Sequence, residues 1–77
     1  MRKKKIRLDT VDKVKEFVNT AVKFPGEIEL HSGRHIVDGK SIMGIFSLDT
    51  ASPVTVVWDE EISDGFDKQT EKFEDNI

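Results

Sequence analysis

Few side chains in this sequence could do chemistry. His31 and His35 could bind a metal or accept a phosphoryl group, and Ser41 could cap a helix or be phosphorylated. Arg2, Lys3, Lys4, Lys5 and Arg7 could meet a phosphate backbone. There is no cysteine, which removes disulfides, thiolate metal sites and cysteine nucleophiles and fits a reducing compartment. The two histidines stand at i and i+4 across Ser32-Gly33, a turn sequence. That spacing converges on one metal only along a helix. With no third ligand evident, no metal or other cofactor is expected, and both read as solvated residues on polar strand faces.

The charge distribution is lopsided. The basic run opens the chain, whereas Asp59, Glu60, Glu61, Asp64, Asp67, Glu71, Glu74 and Asp75 load its end, for a net charge of -3. Lysines on an exposed strand edge, where they discourage edge-to-edge association, explain the run as well as a polyanion does. Nucleic acid is not the expected partner. No apolar stretch of signal-peptide or membrane-span length follows the basic start, so a cytoplasmic, non-membrane domain is expected. Its 77 residues allow one domain over 1–77 with one thin core, since a chain this short buries only about 60% of its unfolded surface. Apolar residues are 36% of the chain and charged residues 35%. That balance favours work done at the surface over a deep active site.

The elements that must position these groups follow from periodicity. Lys4 to Leu8 alternates charged and apolar residues, a half-buried strand. Val11, Val14, Phe17, Val18, Ala21 and Val22 recur at helical spacing behind Asp9 and Thr10 as N-caps, and Pro25 closes the helix by disfavouring the α conformation at Phe24. Glu27 to His31 alternates again and is joined through Ser32-Gly33 to Arg34 to Val37, a β-hairpin. Ser41 stands where an N-cap would, ahead of Ile42, Met43, Ile45, Phe46 and Leu48. Val54 to Trp58 is a β-branched strand that Pro53 begins. Ile62, Phe66, Phe73 and Ile77 lie close to one stripe of a last amphipathic helix. The order β-α-β-β-α-β-α predicts an α+β fold, a four-stranded antiparallel sheet with helices on one face.

The run Lys40-Ser41-Ile42-Met43-Gly44-Ile45-Phe46-Ser47-Leu48 resembles the regulatory-serine segment of HPr proteins, the small phosphocarriers of the bacterial sugar phosphotransferase system. The likeness extends back through Val18-Asn19-Thr20-Ala21-Val22-Lys23-Phe24 and forward to Val54, roughly two thirds of the chain. It implies an HPr-like open-faced sandwich. It also implies that Ser41 is the target of a dedicated kinase, and that Ile42, Met43 and Phe46 form an apolar patch on which partners dock. Helix capping is the competing use of Ser41, and core packing that of the three apolar residues. A monomer that meets proteins of the phosphotransferase system or of carbon regulation is expected.

The family carries phosphate on a histidine in a Gly-x-His-Ala-Arg-Pro loop. Aligned on Lys23-Phe24, this sequence has Thr10 at the histidine position, with Val11, Asp12 and Lys13 in place of Ala, Arg and Pro. Threonine forms a stable phosphoester instead of a labile phosphoramidate. Asp12 sets a carboxylate near the helix start where the family offers a guanidinium. The expectation is therefore a non-enzymatic HPr-like binding or regulatory module. The alternative is a phosphocarrier, or a phosphoacceptor that uses Ser41.

Overall fold

The computed structural model describes residues 1–75, the side chains of Ser63 and Asp64 excepted. Its elements in chain order are β1 (Arg2–Ile6), α1 (Val11–Ala21), β2 (Ile28–Ser32), β3 (His35–Asp38), α2 (Ile42–Phe46), β4 (Val54–Trp58) and α3 (Ser63–Gln69). Short 3-10 turns at Glu60–Ile62 and Glu71–Phe73 flank α3. The strands form one antiparallel sheet in the order β1-β4-β2-β3. The apolar β4 is interior and the lysine-rich β1 lies at an edge, as composition predicts.

Strand alternation sorts the residues between two faces. Ile28, Leu30, Val54, Val56 and Trp58 are buried beneath the helices, joined by Ile6 and Leu8 from the β1 side. Glu29, His31, Thr55 and Val57 point to the opposite, open face and are only half-buried. Above the buried face α1 contributes Val14, Phe17 and Ala21, and α3 contributes Phe66. Phe66 meets Phe17 edge-on at 6.2 Å between ring centres, Phe24 at 5.5 Å and Trp58 at 5.2 Å. Such pairs add to the burial of their area. The hairpin between β2 and β3 turns on Gly33 at φ 59°, a left-handed conformation that a side chain would strain.

Several boundaries differ from the sequence expectation. β1 starts at Arg2, because Arg2 pairs with Trp58 and Ile6 with Val54, so the register on β4 claims the lysines. Val11 and Val22 are exposed at the ends of α1, and Thr20 takes a buried place by returning its hydroxyl to the Glu16 carbonyl at 3.0 Å. The last amphipathic stripe is real at Phe66 and Phe73 but is not one helix. Thr70, fully buried, donates its hydroxyl to the Phe66 carbonyl at 2.7 Å and ends α3. The chain then turns back along β1, where the Arg7 N–H reaches the Phe73 carbonyl at 2.7 Å. Ile77, the last member of that stripe, lies outside the described residues.

Candidate functional site

Ser41 is the N-cap of α2. In an extended conformation (φ -106°, ψ 111°), its Oγ accepts the Gly44 N–H at 3.1 Å. It thereby satisfies one of the helix's orphan donors, as its position in the sequence suggests. Glycine at 44 leaves room for the cap itself. A Cβ there would lie 3.3 Å from Ser41 Oγ and 3.4 Å from the Val37 Cβ on β3.

Sequence reasoning missed Lys40. Its Nζ donates to the Phe24 carbonyl at 2.6 Å and the Gly26 carbonyl at 3.0 Å, tying the end of α1 to the start of α2. Both carbonyls lie beyond the end of α1, where no helical N–H follows to pair them. Asp38 fixes the same turn by accepting the Lys40 N–H at 2.9 Å. Lys40 is thus a structural clamp beside the serine.

The apolar residues of α2 divide. Ile45 and Leu48 are buried, and Ile42 is half-buried against the core. Met43 is 76% exposed and Phe46 44% exposed, one turn apart on the outer side. A helix this short cannot turn all its apolar residues inward. The exposed pair, with the uncovered part of Ile42, is the apolar surface available for contact.

Thr10 caps α1. Its Oγ1 accepts the Lys13 N–H at 3.1 Å, with the backbone extended at φ -132°. The Lys13 ammonium meets Asp9 at 3.0 Å, and this hydrogen bond is the main reason the Asp9 carboxyl lies below its ordinary pKa. Asp12 occupies the first turn of the same helix. Thr10 therefore stands between two acidic residues, Asp9 and Asp12. Its hydroxyl is engaged in holding the helix start, and the first turn contains no arginine.

The histidines stay apart from this region. His31 on β2 is half-buried on the open sheet face, its Nε2 3.0 Å from Glu29 Oε1. His35 is exposed at the start of β3. Among the described residues no group of three metal-ligating side chains converges, and no helix is long and apolar enough to cross a membrane.

The family model described as PTS HPr component phosphorylation site matches residues 12–61. Among solved structures, HPr-C-His from Thermoanaerobacter tengcongensis is similar at a TM-score of 0.78 and 26% identity, over 90% of this chain and 85% of that one. A phosphocarrier protein HPr from Bacillus anthracis strain Ames is similar in fold at a TM-score of 0.74 and 23% identity, over 96% of this chain and 94% of that one. No curated protein matches the chain.

Proposed function

The chain belongs to the HPr family, and from that premise we propose that it is a non-enzymatic regulatory or docking module that does not carry phosphate between enzymes. The observation behind this reading is Thr10. At the position the family gives to its phosphorylated histidine, the hydroxyl accepts the Lys13 N–H at 3.1 Å and caps α1, with Asp9 and Asp12 on either side. A phosphoryl donor approaching this helix start meets negative charge and no imidazole.

In this reading the working surface is α2, with Met43 and Phe46 as the exposed anchors that a partner covers. Ser41 is the switch. A kinase transfers the γ-phosphoryl group of ATP to Ser41 Oγ, releasing ADP, while the hydroxyl proton passes to the kinase's base. The dianion then sits beside the exposed apolar pair and changes which partners dock there. The first turn of α2 contains no acidic residue to oppose it. The partners are cytoplasmic proteins of the phosphotransferase system or of carbon regulation.

The test is intact mass after two separate incubations, one with enzyme I and phosphoenolpyruvate and one with the HPr serine kinase and ATP. One added phosphate in the second reaction alone, lost in Ser41→Ala, supports the regulatory reading. Phosphate added by enzyme I would favour the carrier alternative.

A further inference from the structure

The sheet has two edges, and among the described residues only one is protected. Along β1 the C-terminal segment returns as a partial fifth strand. The Arg7 N–H donates to the Phe73 carbonyl at 2.7 Å, the Asp75 N–H donates to the Lys5 carbonyl at 3.2 Å, and Ile6 pairs with Glu74. Lysines at 3 and 5 add charge to that side. At the other edge, β3 (His-Ile-Val-Asp) contains no lysine and no proline, and no described strand lies beyond it.

The hydrogen-bond phase of that edge can be worked out. The Gly39 N–H bonds the Ile28 carbonyl at 2.7 Å. In the same register Leu30–Val37 and Ser32–His35 are therefore the hydrogen-bonded pairs, while His31–Ile36 and Glu29–Asp38 are not. The N–H and C=O of Ile36 consequently point away from β2, toward open solvent. Its side chain is 59% exposed on the open face. Exposed Asp38 stands two residues further along β3 on that same face, and exposed Arg34 stands two residues before Ile36, in the Gly33-Arg34 turn that leads into the strand.

We propose that β3 pairs antiparallel with β3 of a second copy of this chain, about a twofold axis normal to the sheet that passes between the two Ile36 residues. In this register the Ile36 N–H and C=O of each copy bond reciprocally and the two Ile36 side chains cover each other. Arg34 of each copy faces Asp38 of the other, once on each side of the axis. Asp38 Oδ1 already accepts the Lys40 N–H at 2.9 Å, which leaves Oδ2 for the guanidinium. Keeping side chains on their own faces allows register shifts only in steps of two. Either neighbouring register sets Ile36 against a charge, Asp38 in one direction and Arg34 in the other. The sequence Arg34-x-Ile36-x-Asp38 is self-complementary only with Ile36 on the axis, and that selects a second copy as the occupant over an unrelated strand. A four-residue edge makes a small interface, so the dimer is reversible and concentration-dependent, and the eight strands of the two copies form one sheet. This association departs from the monomer expected from sequence, and it does not depend on phosphorylation of Ser41.

Sedimentation of the full chain from about 20 µM to about 1 mM tests it, a range that brackets weak interfaces of this size. The weight-average mass is expected to rise toward that of a dimer, and Ile36→Lys, a change at an exposed site, to hold it at the monomer. Arg34→Asp alone and Asp38→Arg alone each put like charges across the axis and are expected to weaken association at least about tenfold. Their equimolar mixture restores both ion pairs and is expected to associate about as well as the parent chain. Circular dichroism checks that each variant is folded. Should Asp38→Arg fail that check, Arg34→Lys is expected to retain the dimer that Arg34→Asp loses. A parent chain that stays monomeric throughout, variants that associate as the parent does, or a folded mixture no better than its components would overturn the proposal.

Discussion

Lys4 donates two hydrogen bonds to Asp67, a residue 63 positions further along the chain: one to its backbone carbonyl at 3.0 Å and one to Oδ1 at 2.8 Å. The third ammonium proton goes to Glu74 Oε2 at 2.9 Å, so this inward-facing lysine, 14% exposed at its side chain, is fully satisfied. Around it the terminal amine pairs with Glu60, Arg2 with Asp67 and Arg7 with Asp75. The basic start and acidic end of the sequence are two halves of one intramolecular network.

That network has a pH signature. The hydrogen bond from Lys4 is the main reason the Asp67 carboxyl is depressed below its ordinary value of 3.8. A carboxyl depressed in the folded state contributes stability above its unfolded pKa and loses it as the pH falls through the folded one. Asp67 is more than a third exposed, so its share is about 1 kcal/mol or less after solvent screening. Urea unfolding should show stability falling below about pH 4, and Lys4→Met should flatten that part of the profile.

The same pairing argues against a polyanion partner. With the terminal amine, Arg2, Lys4 and Arg7 engaged within the chain, little of the basic run is left to release counterions from DNA or RNA. Fluorescence anisotropy with a labelled duplex at physiological salt should stay flat. Binding with a steep inverse dependence on salt would contradict this.

Capping by Ser41 can be measured apart from any modification. Ser41→Ala removes the acceptor of the Gly44 N–H and should cost about 0.5 to 2 kcal/mol, read as a lower melting temperature. Ser41→Asp, another good N-cap, should stay near the parent in stability.

Exposure separates the proposed docking residues from the packing residues on α2. Met43→Asp and Phe46→Ala should leave stability within about 0.5 kcal/mol, whereas Ile42→Ala, which uncovers core, should lower it by about 1 kcal/mol or more. Calorimetric titration with a partner that recognises this surface should show at least about tenfold weaker binding for the first two.

Much of this was legible in the sequence because it is local. The stripe of Val14, Phe17 and Ala21, the cap at Thr10, the turn at Gly33 and the cap at Ser41 each depend on neighbours within four residues. What was not legible depends on distant partners. The strand β1 begins at Arg2 because Trp58 is opposite it, and the final stripe breaks at Thr70 because Phe73 is drawn to Arg7. Lys40 looks like any exposed lysine until the carbonyls of Phe24 and Gly26 are seen beneath it. The division of Ile42 from Met43 and Phe46 required the orientation of α2 against the sheet, which periodicity over one and a half turns does not fix.

The most direct test of the carrier step is intact mass after incubation with enzyme I and phosphoenolpyruvate, quenched in alkali so that any phosphohistidine survives. No gain in mass is expected under the proposed reading, in which Thr10, the cap of α1, stands where the family has its histidine. Gain of one acid-labile phosphate would contradict the proposed non-carrier role and point to His31 or His35 as the acceptor.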